Sequence, residues 1–93
     1  NNIRRIQKCV ANFYNISFED MKSKKRTPNL AIPRQVAMNL CRKLTDESFE
    51  RIGIEFSGKN HATVIHACNK IEREMKINAD LNDAINNIKK QLT

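Results

Sequence analysis

Four residues that follow a short turn carry side chains suited to contacting the edges of DNA bases. Asn60, His61, Ala62 and Thr63 come directly after the turn Ser57-Gly58-Lys59. In the major groove an Asn side chain can form two hydrogen bonds with adenine, and the methyl groups of Ala and Thr can contact the methyl group of thymine. If these residues begin a helix, we expect that end of the helix to face base edges.

Other chemistries find little support in the residue pattern. The chain has no Gly-rich phosphate loop, no paired-carboxylate site and no nucleophile beside a base at a useful spacing, so we expect no enzymatic activity. His61 and His66 would lie about 140° apart around a helix, which argues against a shared metal ion. The three cysteines, Cys9, Cys41 and Cys68, are odd in number, form no Cys-x-x-Cys pair and occupy apolar positions. This usage favours buried thiols in a reducing cytoplasm.

Positive charge is concentrated in the first half of the chain. The net charge is +7, and residues 1–44 contain ten Lys/Arg against two Asp/Glu, whereas residues 45–93 contain seven against eight. An asymmetric basic surface attracts polyanions, nucleic acid first and acidic membrane surfaces second. The few aromatic residues form no stacking motif of the kind that single-strand binders use, so a duplex is the favoured partner.

Apolar residues recur at three- and four-residue spacing along most of the chain, which predicts an all-α bundle. With 93 residues and only two Gly and two Pro, the chain fits one helical domain over 1–93 better than a many-stranded fold. The first residue is Asn, so we expect a C-terminal fragment of a longer protein. The predicted helices span about 3–14, 18–22, 30–44, 46–56, 61–77 and 80–92.

Local signals refine these helices. Ser17, Thr45 and Asn60 are expected to cap helix starts, and Pro33 must lie in a first turn. Residues 23–29 contain three consecutive basic residues and no apolar one, which predicts a basic loop. A glycine at position 53, inside the predicted helix 46–56, indicates close approach of a neighbouring helix.

Residues 46–56, 57–59 and 60–77 have the lengths of a helix-turn-helix. In that motif the first helix braces the second, whose N-terminal end enters the major groove. The pattern alone is weak evidence, because many helical domains contain such a hairpin without binding DNA. Within the sequence pattern, a helical module whose basic face meets an acidic protein or lipid remains an open alternative.

Three motifs resemble one family, the C-terminal DNA-binding domain of the bacterial replication initiator DnaA. They are Ser23-Lys24-Lys25-Arg26, Pro33-Arg34-Gln35-Val36-Ala37-Met38 with the following Leu44-Thr45, and the stretch from Ile52 to Ala67. The resemblance covers essentially the whole chain. It implies a monomeric domain that binds a short asymmetric duplex element at the replication origin, the DnaA box.

The resemblance also implies roles for individual residues. Arg26 matches the arginine that enters the minor groove, and a narrow A·T-rich groove has the negative potential that suits a guanidinium. His61 and Thr63 match base-contacting and phosphate-contacting positions of the recognition helix. The complete expected DNA-binding set is Arg26, Arg34, Gln35, Arg42, Thr45, Lys59, Asn60, His61, Ala62, Thr63, His66 and Lys70.

The chain departs from the family pattern at four of its positions. Asn60 stands where Asp is usual, Ala62 where Thr is usual, Ser57 where Gly is usual and Lys59 where Arg is usual. Asp can accept from cytosine, whereas Asn can also donate, so we expect shifted base preference at one or two positions. Each altered contact can change discrimination by about 1–3 kcal/mol.

The same resemblance bears on cofactors and other partners. The chain has no Walker motif, so ATP is expected to bind only in another domain of the full-length protein. Acidic phospholipid is a further expected contact of the basic half, although no strong membrane helix stands out.

Overall fold

Six α-helices and one short 3-10 helix form the protein in a computed structural model that describes residues 1–93. The all-α prediction is therefore confirmed, and most helix bounds agree with it to within one residue. In chain order the helices are α1 (Ile3–Tyr14), α2 (Phe18–Lys22), the 3-10 helix (Pro28–Leu30), α3 (Ala31–Leu44), α4 (Phe49–Glu55), α5 (His61–Ile77) and α6 (Ala79–Leu92).

Helix α4 differs from its predicted span of 46–56, because Ser48 and not Thr45 caps it. The Ser48 hydroxyl accepts a hydrogen bond from the Arg51 amide at 3.1 Å. Thr45 instead closes α3: its hydroxyl donates to the Cys41 carbonyl and accepts from the Glu47 amide at 3.2 Å. Since the hydroxyl is already engaged by the preceding helix, residues 46–48 form a loop, and the prediction of Thr45 as an N-cap is wrong.

Helix α3 lies at the centre of the bundle, packed between α1 and α5, while α4 and α6 pack against α5. The core between them contains 20 buried apolar residues, of which Ile6, Leu40, Phe56 and Ile71 are almost fully shielded from solvent. No helix combines the length and the apolar character that crossing a membrane requires.

The three thiols have different environments. Cys41 and Cys68 are buried, as predicted, whereas Cys9 is only half-buried. Burial raises the pKa of Cys41 to about 12 and that of Cys68 to about 11. The two buried groups therefore remain neutral thiols and behave as small apolar side chains.

The turn between α4 and α5 depends on a close backbone approach at Gly53. The Lys59 amide donates to the Gly53 carbonyl at 2.9 Å, and a Cβ atom added at Gly53 would lie 2.0 Å from the Lys59 carbonyl oxygen. The nearest neighbour of Gly53 is thus the backbone of the turn and not a helix, which corrects the prediction; Val64 of α5 comes next. Within the turn, Gly58 takes a left-handed φ of 75° and Ser57 takes one of 66°.

Two alanine substitutions should separate close approach from backbone strain. Gly53→Ala is expected to destabilise by about 3 kcal/mol or more, because its methyl group would overlap a carbonyl that cannot move without moving α5. Gly58→Ala has no atom within 4 Å of the added carbon and should cost only the left-handed penalty of about 1–2 kcal/mol. Urea unfolding monitored by circular dichroism measures both. Equal losses would contradict this interpretation of Gly53.

A polar network joins α3 to α5 at the rim of the core. Glu72 accepts from Asn39 Nδ2 at 2.8 Å and forms an ion pair with Lys43 at 2.6 Å. These hydrogen bonds, from Lys43 first and Asn39 second, hold the pKa of Glu72 below its usual value. The charged carboxylate is thus favoured in the folded state.

This network should make the free energy of unfolding depend on pH in the acidic range. Because the pKa of Glu72 is lowered by folding, its contribution is present above the ordinary glutamate pKa and is lost as pH falls through the lowered value. We expect Glu72→Gln to be less stable than the parent at pH 7 by up to about 1 kcal/mol, with the difference shrinking at pH 3. Urea titrations at both pH values test this. Glu74→Gln, on the same helix but without an ion pair, is the matched control; a constant difference for Glu72→Gln would refute the linkage.

Candidate nucleic-acid interface

A cleft of about 480 Å³ opens between the residues that precede α3, the first turns of α3 and the outward face of α5. It brings together seven of the predicted DNA-binding residues from three separate parts of the chain. Its polar lining comprises Arg26, Thr27, Arg34, Gln35, Lys59, Thr63, His66 and Lys70, and its apolar lining comprises Ala31, Met38 and Ala67.

Positive charge accumulates at the mouth of this cleft. Partial burial lowers the pKa of Lys59, and the neighbouring charges of Arg34 and Arg26 lower it further. No carboxylate lines the cleft. A phosphate entering there would relieve the mutual repulsion of these cations, so the arrangement favours an anionic ligand.

Arg34 is occupied within the protein more fully than its place in the expected DNA-binding set implies. Its guanidinium donates to the carbonyl oxygens of Asp20 at 2.6 Å, Met21 at 3.3 Å and Lys25 at 2.6 Å, and to the Ser23 hydroxyl at 3.1 Å. Only 7% of the residue is exposed, and burial lowers its pKa, against the opposing effect of Asp20. Arg34 therefore fixes the end of α2 and the basic loop to α3.

The sequence contains a signal for this buried position. Leu30, Ala37 and Met38 lie four, three and four residues from Arg34, and all three are buried. That spacing places Arg34 on the inward stripe of α3, where a charged side chain needs several partners. The backbone acceptors themselves could not be identified from sequence.

Arg26 lies on the loop that Arg34 fixes, and its side chain is exposed without a hydrogen bond or an ion pair to another residue. The adjacent Lys25 lies 3.8 Å from the Asp20 carboxylate. Thr27 has an extended backbone because Pro28 follows it. The predicted basic loop thus holds one free guanidinium at the edge of the cleft, and its contact with a minor groove stays a prediction.

The start of α5 exposes the residues predicted to contact bases. His61 and Ala62 are exposed, as expected for a first turn beyond α4. Asn60 caps the helix: its Oδ1 accepts from the Thr63 amide at 2.9 Å and from the Thr63 hydroxyl at 3.1 Å. The Asn60 amide nitrogen is consequently the group left for a ligand, so the two-bond adenine contact requires Oδ1 to accept a further bond.

Gln35, like Arg34, lines the cleft from the first turns of α3. Its Oε1 is buried without a hydrogen-bond partner, and its side-chain nitrogen donates to no other residue. The amide nitrogen therefore remains as a neutral donor for an anion.

Arg42 and Thr45 lie outside the cleft, at the far end of α3. The Arg42 guanidinium stacks 4.4 Å from the centre of the Phe49 ring and donates to the Glu47 carbonyl at 3.0 Å. Thr45 lines a separate polar depression that also contains Asp46 and Glu47. The depression also contains Lys43, whose ammonium is already paired with Glu72. The two carboxylates therefore make this end of α3 electrostatically less favourable for phosphate than the cleft, which has no carboxylate.

Known proteins resemble this chain in both sequence and fold. Residues 3–71 match the model of the family described as bacterial dnaA protein helix-turn-helix. The chain is 47% identical over 90 residues to the chromosomal replication initiator protein DnaA of Lactobacillus delbrueckii subsp. bulgaricus, covering 97% of this chain but only 20% of that relative. It also superimposes on the crystal structure of a DNA replication initiation factor with a TM-score of 0.82 and 36% identity, covering 96% of this chain and 27% of the other.

Replacing Arg34 should loosen the basic loop selectively. In Arg34→Lys a single ammonium cannot reach four acceptors. In this loop the amides of Ser23 and Lys25 donate hydrogen bonds, to the Asp20 carbonyl and the Ser23 hydroxyl, so we expect hydrogen exchange at these two amides to accelerate by about tenfold or more while α5 keeps its protection. Arg42→Lys, also on α3, removes one hydrogen bond far from this loop and serves as the control. Unchanged exchange in the loop of Arg34→Lys would contradict a fixing role.

Proposed function

Because the chain belongs to the bacterial DnaA helix-turn-helix family, we propose that it binds double-stranded DNA sequence-specifically at a replication origin and thereby serves the initiation of chromosomal replication. The carrying observation is the cleft, where the basic loop and α5 meet with their exposed donors on one side. The chain spans about a fifth of the length of the curated relative it matches, so it contributes one part of such a process.

Helix α5 is the proposed recognition helix. Its first turn is exposed beyond α4, and a helix of this kind fits the major groove. His61, Ala62 and the Asn60 amide nitrogen would face base edges, while Thr63 keeps its hydroxyl on the cap and offers its methyl group. Positioning of the helix comes from α4 and the Gly53–Lys59 backbone contact.

Arg26 is the proposed minor-groove group. The loop that carries it is held by Arg34, so little conformational entropy is lost when the guanidinium enters the groove. An A·T-rich minor groove attracts such a group by its negative potential. The major-groove and minor-groove contacts would lie on either side of the cleft.

The remaining lining residues would bind the DNA backbone between these two contacts. Lys59, Lys70, His66 and Gln35 face the cleft, and Arg34 has its edge there. Phosphate contacts fix the register of the protein on DNA without specifying sequence. Binding should therefore weaken steeply as salt is raised.

The proposal also covers other partners and cofactors. A monomeric domain suffices for an asymmetric site. ATP would bind elsewhere in a full-length protein, so this chain would have no catalytic part.

The competing function is an interaction module whose basic face binds an acidic protein or acidic lipid. Specificity for a DNA sequence distinguishes the two.

Fluorescence anisotropy with two short duplexes tests the proposal. We expect a duplex that carries a DnaA box to bind at least several-hundred-fold more tightly than a scrambled one, about the lower range for specific recognition. Arg26→Ala and His61→Ala should each reduce box affinity by about 1–3 kcal/mol, because each removes a groove contact. Lys90→Ala, at the end of α6, should leave the preference unchanged.

Equal and salt-sensitive binding to both duplexes would overturn sequence-specific recognition of this box. Selection from random duplexes would then show whether Asn60 and Ala62 specify a different site. If no sequence is enriched, the interaction-module alternative is favoured.

A further inference from the structure

A second cationic surface lies on α1 and α2, apart from the lining of the cleft. Arg4, Lys8 and Lys22 all place their charged groups over the ring of Phe18, at 5.4, 5.3 and 5.1 Å from its centre. We call these four residues the Phe18 patch. The ring gives the three cations a common support, which holds them together despite their mutual repulsion.

No ion pair neutralises the patch. The ion pairs of the protein join Lys25 to Asp20, Lys43 to Glu72 and Arg51 to Glu55. Helix α2 has two acidic residues, Glu19 and Asp20. The Asp20 carboxylate is directed to Lys25, so Glu19 is the only other carboxylate close to Lys22 in the sequence. Three like charges gathered in this way favour a polyanionic partner.

The patch is continuous with the basic loop. Lys22 ends α2, and the loop begins at Ser23. Arg34 donates to the carbonyl groups of both Asp20 and Lys25, so α2 and the loop are held to the same side chain. Lys22 and Arg26 are four positions apart in the sequence, a span of at most about 14 Å between their Cα atoms. Successive base pairs rise about 3.4 Å, so this distance corresponds to about four base pairs.

The character of the surface favours DNA phosphates over a lipid interface. The apolar side of α1, formed by Ile3, Ile6 and Val10, is buried in the core. The only large apolar side chains exposed on the protein, Phe13, Ile54 and Ile77, are not members of the patch. A helix that binds a membrane surface inserts an apolar face beside its cations. The one exposed large apolar side chain of α1, Phe13, lies about 140° or more around the helix axis from Arg4 and Lys8.

We propose that the Phe18 patch binds backbone phosphates of the duplex that flanks the recognition site, on the side where Arg26 enters the minor groove. This inference rests on the proposed function. The patch would extend the contacted DNA by a few base pairs without reading their sequence. The protein would then bind more tightly when duplex DNA continues on that side of the asymmetric site than when it continues on the other side.

Duplex length provides the test. The 93-residue chain is titrated with a minimal box duplex and with duplexes extended by eight base pairs of mixed sequence on one end or the other. Extension at the minor-groove end should raise affinity about three- to tenfold and steepen the dependence of log affinity on log salt by about two. Extension at the opposite end should change neither quantity.

Charge variants assign the gain to the patch. Arg4→Gln/Lys8→Gln/Lys22→Gln should abolish the gain and keep the affinity for the minimal duplex within about twofold. The charge-matched control, Lys76→Gln/Lys89→Gln/Lys90→Gln on the last turns of α5 and α6, should keep the gain. If the triple variant is unfolded by circular dichroism, Arg4→Gln/Lys8→Gln replaces it and should reduce the gain.

The remaining outcomes overturn the inference. Equal gains at both ends, or a gain that survives in the patch variant, would show that the patch has no such role. If length has no effect and the patch variant instead loses binding to vesicles of phosphatidylglycerol and phosphatidylcholine, the patch is a lipid surface. If the protein binds the minimal box duplex no more tightly than a scrambled duplex, the proposed function itself is refuted, whatever the dependence of affinity on duplex length.

Discussion

One buried guanidinium organises the candidate interface. Arg34 lies in the first turns of α3, and its four hydrogen bonds reach Asp20 and Met21 of α2 and Ser23 and Lys25 of the basic loop. Backbone carbonyls that would otherwise need water are thereby satisfied, and a segment without apolar residues acquires a fixed path. In the proposed complex the exposed guanidinium of Arg26 would enter the minor groove from a loop that the guanidinium of Arg34 holds in place.

A second constraint acts on the other side of the cleft. At Gly53 two backbone segments come closer than any side chain would permit, and the hydrogen bond between the Lys59 amide and the Gly53 carbonyl fixes the entry of α5. From the opposite direction, Gln7 of α1 donates to the Glu55 carbonyl at 2.9 Å and holds the last turn of α4. The basic loop and the candidate recognition helix are thus each attached to a neighbouring helix, and this preorganisation would lower the entropic cost of the proposed DNA binding.

Much of the fold could be predicted because its determinants are local. The periodic apolar residues and the caps Ser17 and Asn60 predict the first and last residues of five helices to within one position. Thr45 and Ser48 are both good caps, and sequence alone could not tell that the Thr45 hydroxyl would bond back to Cys41. The family resemblance supplied the candidate site residues. It could not supply the hydrogen-bond partners of Arg34, because these come from α2 and the loop. Nor could it show that Arg42 and Thr45 lie outside the cleft.

The distribution of the three thiols also has a practical consequence. Cys9 is half-buried near the surface, with its sulfur 3.5 Å from Gln91 Oε1, whereas Cys41 and Cys68 lie in the core on α3 and α5. An alkylating reagent attacks only an accessible thiolate, so it reaches the two inner sulfurs only when these helices separate. The natural sequence therefore contains its own graded reporters of opening: one near the surface and two at the junction that orients the candidate recognition helix.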